Sequence, residues 1–249
     1  MKINYIRPET DFKISFGGIE WNSFIDYPEN ISIVLFTNGC NFRCEYCHNK
    51  FLFDNSKSIP LDFLFENLEK RKKFNDAIVI CGGEPTIHPD LKFFLKYAKQ
   101  IGYKTKLDTN GTNPDALKEI SEFCDYIAMD IKTSFHKYNL LFSEQINNSG
   151  FTNKILNDVK KSVELIKQRK NAEFRTTVYP DFVDVQDLKN IRQIVDNAGI
   201  EWFLQKYVAR TGDETGLNVN DKQTESLSAK IICDFLNIAF LSSERISAL

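Results

Sequence analysis

Apolar residues recur along this chain in two alternating rhythms. Short runs rich in β-branched side chains, at 31–36, 77–81, 104–107, 126–130, 173–178 and 202–206, have the length and composition of buried strands. Between them the apolar positions fall three and four apart, as one face of a helix requires. Leu61, Leu64, Phe65 and Leu68 do so in 61–72, and Leu91, Phe94, Leu95 and Ala98 in 91–101. Ile155, Val159, Val163 and Ile166 repeat the pattern in 153–170. Pro114 opens a further helix over 114–123, and 185–198 closes at Gly199. Six alternations predict parallel βα units joined by right-handed crossovers. The expected class is α/β, and six units fit an incomplete (β/α)6 barrel better than a full eight. A doubly wound open sheet is the rival that periodicity does not separate. In both architectures, functional residues belong on the loops after the strands.

No low-complexity linker interrupts the chain, so residues 1–249 read as one domain. An N-terminal arm (1–30) and a C-terminal extension (about 210–249) flank the βα rhythm, and 133–152 is the most loop-like stretch. With 42% hydrophobic residues, 11 Gly and 7 Pro, the chain is too apolar and too poor in breakers to be disordered or fibrous. Thirty-two basic against 34 acidic residues leave a formal charge of −2, which gives no electrostatic reason to expect nucleic acid. No apolar run approaches the ~18 residues of a membrane span, and no signal-like h-region opens the chain. A cytoplasmic protein is expected, where thiols stay reduced. Six cysteines then need another explanation, and three of them, Cys40, Cys44 and Cys47, fall within eight residues.

The spacing CxxxCxxC directly after the first buried strand lets one loop wrap an inorganic centre. Structural zinc normally takes four protein ligands and a [4Fe–4S] cluster usually four cysteines. Three close thiolates without a fourth point to a cluster with one iron open to an outside ligand. Zinc with His48 as fourth ligand is the alternative, although Cys47 and His48 are adjacent; unligated buried thiols are another. Gly82-Gly83-Glu84-Pro85 follows the second strand and reads by itself as a strand-to-helix turn. Asp108-Thr109-Asn110-Gly111 after the third is an ordinary polar turn, and Asp130-Ile131-Lys132 after the fourth an ordinary ion pair.

In this order the motifs resemble the radical S-adenosylmethionine (SAM) superfamily, whose hallmark CxxxCx(aromatic)C is matched by Cys40, Cys44, Tyr46 and Cys47. The resemblance implies an incomplete barrel carrying a [4Fe–4S] cluster on the three cysteines. The open iron would be chelated by SAM, the cosubstrate. Tyr46 would pack on or hydrogen-bond the adenine, with Cys47 and His48 in the same site. Gly82, Gly83 and Glu84 match the family's GGE motif, which holds the methionine ammonium. Asp108 and Asn110 would lie near the ribose. Lys132, in the DxK motif begun by Asp130, would bind the methionine carboxylate. Asp108, Thr109 and Asp130 would supply oxygens to a small, monovalent cation. Arg175 resembles a basic residue near SAM, and Gln205 a polar residue facing the site. Cys81, Cys124 and Cys233 are expected to be structural.

Trp21-Asn-Ser-Phe-Ile-Asp-Tyr-Pro28, Phe36-Thr-Asn-Gly-Cys40-Asn41 and Cys47-His-Asn49 extend the resemblance to the anaerobic ribonucleoside-triphosphate reductase activating proteins, which are glycyl-radical enzyme activating enzymes. Glu29 stands where that group commonly has Gly. The implied activity is reductive SAM cleavage followed by removal of hydrogen from a glycine Cα of a partner enzyme. A flavodoxin or ferredoxin would donate the low-potential electron, and no membrane or nucleic acid takes part. Pyruvate formate-lyase-type activases share the motifs. A radical SAM enzyme acting on a small molecule, with the pocket closed by C-terminal elements, is the further alternative.

Overall fold

The runs of apolar, β-branched residues become strands because their side chains are buried. The first of them are buried on both faces of the sheet, as parallel strands require, and the last (202–206) only at Trp202 and Leu204 on one face. The computed structural model describes residues 12–53, 57–142, 149–196, 199–209 and 219–241. The chain forms two compact units, Met1–Asn41 with Asn49–Ala128, and Phe42–His48 with Met129–Leu249.

In the first unit, β1 (Phe16–Ser23) pairs antiparallel with β2 (Ser32–Thr37). Parallel to β2 lies β3 (Ala77–Gly82), from Ser32 opposite Ala77 to Thr37 opposite Gly82. Beyond it β4 (Lys104–Thr109) pairs in parallel with β3. The crossovers are α1 (Leu61–Arg71) and α2 (Leu91–Gln100), and α3 (Pro114–Ile120) follows β4. Two cores result, because successive strand residues point to opposite faces. Phe16 packs on Phe94 (5.0 Å between centroids), and Phe65 meets Phe94 and Tyr97. The other face holds Val34, Ala77 and Val79 with Tyr27, against which Phe36, Cys81 and Tyr126 pack.

β5 (Tyr126–Asp130) carries the chain from the first unit into the second. In the second unit, β6 (Ala172–Val178) and β7 (Glu201–Lys206) are parallel, with Glu173 opposite Glu201 and Val178 opposite Lys206. The helices are α4 (Ser149–Lys167), α5 (Val185–Val195) and α6 (Val219–Leu241). Asp184 caps α5 through a capping box with Asp187, which satisfies two otherwise orphaned backbone donors.

The expected elements are present with shifted ends. The helix over 114–123 finishes as a 3-10 turn (Ser121–Phe123), and the helix expected to 198 ends at Val195, with residues 197–198 outside the described ones. The stretch 133–152 is not simply a loop. It contains a 3-10 turn, Phe135–Leu141, that buries Tyr138 and Leu141, and the start of α4; residues 143–148 lie outside the described ones. Within the arm, Phe16–Ser23 is the edge strand β1, with residues 1–11 not described. Of the C-terminal extension, 219–241 is α6, which receives the chain after β7. Tyr207 N–H donates to Ser228 Oγ (3.0 Å) and Ala209 N–H to Glu225 (2.6 Å). Cys124 is buried as a structural thiol should be, and Cys81 is half-buried. Cys233 is exposed on α6, so no packing role accounts for it.

The Asp-Tyr-Pro stretch forms the β1–β2 connection. Ser23 Oγ donates to Asp26, and Tyr27 is buried with its ring 6.1 Å from that of Tyr126. Glu29 has φ 59°, and among the described residues no other non-glycine has positive φ. The turn keeps the left-handed conformation that glycine adopts freely, at the steric expense of a Cβ. Glu29 is exposed, so nothing buried is lost on its removal. Glu29→Gly is therefore expected to stabilise the protein by about 0.5–1 kcal/mol, raising the thermal midpoint by roughly 1–4 °C by circular dichroism.

Candidate functional site

The motifs all emerge at the C-terminal ends of strands, where the next loop begins. In the first unit the turn Gly82-Gly83-Glu84 is joined to the start of the cysteine loop by backbone alone. Gly83 N–H donates to Thr37 O (2.8 Å) and Glu84 N–H to Gly39 O (2.9 Å). Gly82 has φ +105°, and a Cβ on Gly83 would lie 1.8 Å from Gly39 O. Only glycines permit this approach.

Glu84 is 1% exposed, and its carboxylate collects four donors from its own chain. Oε1 accepts from Thr86 N–H (3.0 Å), Thr86 Oγ1 (2.5 Å) and Thr109 Oγ1 (2.7 Å), and Oε2 from Asn110 N–H (2.7 Å). A carboxylate offers about two acceptor positions on each oxygen, so Oε1 is filled and Oε2 keeps one position beside Asn110. Burial pushes its pKa up, and the hydrogen bonds oppose that shift. Asn110 carries the connection on, donating to Asn41 Oδ1 (2.8 Å) and accepting from Thr112 N–H (3.0 Å). Three loops, after β2, β3 and β4, are thus one hydrogen-bonded body. Asp108 lies on the same face of β4 as Lys106, whose Nζ is 3.6 Å away and also donates to Asp26 O (2.6 Å).

The second unit supplies the positive charge. Lys132 Nζ contacts Asp130 Oδ2 (2.7 Å) and Arg175 Nε contacts Asp130 Oδ1 (2.9 Å), with Glu173 3.9 Å behind Arg175. Burial disfavours the Asp130 charge, but Arg175 and then Lys132 outweigh it and hold the carboxyl at about 2. Burial likewise opposes the Lys132 ammonium, and Asp130 more than restores it. Arg175 is therefore anchored to Asp130. Cys44 is buried; burial pushes its thiol up while Lys132 favours the thiolate. Cys47 and Cys40 are half-buried, and Cys47 N–H donates to Cys44 O (3.1 Å).

Tyr46 rests against Tyr179 (5.2 Å, 31°) and edge-on against Phe182 (5.7 Å), and Tyr179 continues to Tyr207 (5.1 Å). The Tyr46 hydroxyl is buried without a hydrogen-bond partner. Such an orphan beside an apolar ring wall fits a planar heterocycle that brings its own polar edge, as adenine does. The thiols and the adjacent ammonium fit a thiolate-ligated centre. Among the described residues no three His, Cys, Asp or Glu side chains converge closely enough to hold a metal ion, the loop thiols included. Gathering thiolates requires the cation's own charge.

His48 is exposed, its ring 6.2 Å from that of Tyr207, and Gln205 is exposed and accepts from Thr177 Oγ1 (3.3 Å). Tyr179 and Tyr207 escaped the sequence reading. Each is the first residue past its strand, which is the signal that could have found them. Asn41 carried no such signal, because its partners Asn110 and Thr112 are distant in sequence.

Two tests follow from this geometry. Gly83→Ala drives a Cβ into Gly39 O and should lower the thermal midpoint sharply, whereas Gly18→Ala, with its nearest neighbour 3.4 Å away, should not. Asp130→Asn should cost on the order of 2 kcal/mol at pH 7 in urea unfolding, the size of the Asp130 shift. A depressed pKa stabilises the fold above the unfolded value near 3.8 and ceases to as pH falls toward 2. The gap between wild type and variant should therefore narrow over that acid window.

The Radical SAM superfamily matches residues 34–198. A proposed glycyl-radical enzyme activating enzyme of Methanocaldococcus jannaschii, MJ1227, is 36% identical over 193 residues, covering 76% of this chain and 78% of that one. The pyruvate formate-lyase-activating enzyme of Clostridium pasteurianum is 31% identical over 121 residues, 46% of this chain and 50% of that one. The solved structure "Native anSMEcpe with bound AdoMet" shares the fold with a TM-score of 0.57 at 20% identity, over 85% of this chain and 61% of that one. The strands are mostly parallel and each of β2 to β7 is followed by a helix, so the expected α/β class of six units holds. No helix among the described residues is long and apolar enough to cross a membrane. Fold, motif order and sequence agree: this chain belongs to the Radical SAM superfamily and is an oxidoreductase enzyme of it, which implies a [4Fe–4S] cluster and SAM as its cofactors.

Proposed function

We propose that this chain activates a glycyl-radical enzyme, removing hydrogen from a glycine Cα of that partner. The supporting observation is the similarity to the M. jannaschii activating enzyme, which extends over most of both chains and not over the cysteine loop alone. When bound, the cluster and SAM supply a low-potential electron and a hydrogen-abstracting radical.

The chain's own residues do the holding. Cys40, Cys44 and Cys47 take the cluster. Lys132, braced by Asp130, offers its ammonium to the SAM carboxylate, and Arg175 serves through Asp130. The Gly82–Glu84 turn faces the methionine ammonium with its backbone, while the Glu84 side chain keeps that turn in register. Tyr46, Tyr179 and Phe182 pack the adenine and exclude water. Asp108 and Asn110 lie toward the ribose. Gln205 and His48, both exposed, belong to this reading as polar residues toward SAM. A monovalent cation on Asp108, Thr109 and Asp130 belongs to this reading. So do a flavodoxin or ferredoxin as electron donor, a cytoplasmic setting, and one catalytic domain over the whole chain.

Anaerobic ribonucleoside-triphosphate reductase is the favoured partner, because the Asp-Tyr-Pro and Phe-Thr-x-Gly-Cys-Asn segments resemble that group's. Anaerobically reconstituted protein should carry about four irons per chain and release 5′-deoxyadenosine from SAM under dithionite. Incubated with an anaerobic reductase, it should produce the glycyl-radical EPR doublet, and with pyruvate formate-lyase none. A doublet on the lyase alone would reassign the partner. SAM cleavage with no doublet on either protein would refute the activase reading, and stoichiometric zinc in place of iron would refute the cluster.

A further inference from the structure

Helix α6, in the C-terminal extension, meets the end of β7 with polar groups as well as apolar ones. One face of the helix carries Glu225, Ser228, Ile231 and Phe235, spaced three and four apart. Phe235, 2% exposed, lies edge-on to Trp202 of β7 (5.9 Å, 71°). Ser228 and Glu225 take two backbone donors just past the strand. Tyr207 N–H donates to Ser228 Oγ (3.0 Å) and Ala209 N–H to Glu225 Oε1 (2.6 Å). Ser228 is 0% exposed in the helix interior. A hydroxyl there is costly unless it is bonded, and alanine is the better helix former. What the serine supplies is a fixed backbone at Tyr207.

The ring of Tyr207 belongs to the aromatic wall. It lies edge-on to Tyr179 (5.1 Å, 71°), which meets Phe182 (5.5 Å, 69°) and tilts against Tyr46 (5.2 Å, 31°). A continuous line of contacts therefore runs from Ser228 through Tyr207 and Tyr179 to Tyr46. β7 ends at Lys206, so Tyr207 stands beyond the strand, and its backbone is held by α6 instead. In close-packed rings, a shift of one displaces the next.

We propose that Ser228 and Glu225 are positioning residues for the aromatic wall, acting through the segment that carries Tyr207, and that α6 thereby sets how tightly the site holds the adenosyl half of SAM. This rests on the reading of Tyr46, Tyr179 and Phe182 as the adenine contact. Both residues lie in the extension, outside every motif that carries the resemblance.

The test compares wild type with Ser228→Ala, Glu225→Ala, Glu225→Gln and Tyr179→Leu after anaerobic reconstitution, by iron content and by calorimetric titration with SAM and, separately, with methionine. Methionine has the amino and carboxylate groups of SAM without its adenosyl half. Ser228→Ala and Glu225→Ala are expected to keep their iron, to bind SAM about fivefold more weakly, the size of one net hydrogen bond, and to bind methionine as wild type does. Glu225→Gln, whose amide oxygen still accepts from Ala209 N–H, should bind SAM as wild type does. Should Ser228→Ala not fold, the Glu225 pair carries the same comparison. Variants that weaken both ligands equally, or lose iron, assign the two residues to general packing and overturn the inference. SAM affinity unchanged in both alanine variants but lowered in Tyr179→Leu overturns it while leaving the adenine reading intact. SAM affinity unchanged in Tyr179→Leu defeats the adenine reading and the inference with it.

Discussion

Backbone contact between two loops governs the first unit. The turn after β3 approaches the carbonyl of Gly39 so closely that a single methyl group would collide with it. Parallel register brings the ends of β2 and β3 side by side, Thr37 opposite Gly82, and the two loops leave from that pair. Everything polar nearby is arranged around this contact. Glu84 is placed by its own backbone bond to Gly39, and its side chain then reaches Thr109 and Asn110, which reach Asn41 and Thr112. A carboxylate held by four donors is a rigid junction, and rigidity is what a cofactor site needs from its surroundings.

In the second unit the organising problem is charge. Asp130 and Lys132 lie where desolvation disfavours both charges, and each is held ionised by the other, Asp130 also by Arg175. Asp130 is bridged between an ammonium and a guanidinium, with Glu173 behind the latter. At the neighbouring Cys44 burial raises the thiol, and the Lys132 ammonium is the charge that works toward the thiolate. The aromatic wall of Tyr46, Tyr179 and Phe182 adds an apolar surface next to this charge, so one unit offers both a flat ring contact and a cation.

Some motifs proved to be architecture. The Asp-Tyr-Pro stretch, which carries the resemblance to reductase activating proteins, is the β1–β2 connection, and it buries Tyr27 under the sheet. Its left-handed residue is Glu29, a position suited to glycine, so the turn is retained under local strain. Glu84 likewise reads in sequence as a cofactor contact, yet in the fold it is first a tie between loops. A motif specifies which residue type is needed at a position and not which force needs it.

Strand and helix positions were legible because burial periodicity is local: Ile33 and Leu35, or Leu64 and Leu68, declare their element from spacing alone. The cysteine loop, the glycine pair and the Asp-x-Lys motif were legible because their chemistry is confined to a few consecutive residues. What only the tertiary structure decided depends on groups far apart in the chain. Arg175 is tied to Asp130, 45 residues earlier, rather than standing free. The carboxylate of Glu84 is held by Thr109 and Asn110. Tyr138 is buried under Phe42 in a stretch whose composition looks like solvent-facing loop. Each of these outcomes turns on which donor or acceptor satisfies a buried polar group, and that pairing is settled by packing, because desolvation acts on atoms brought together in space and not on their order in the sequence.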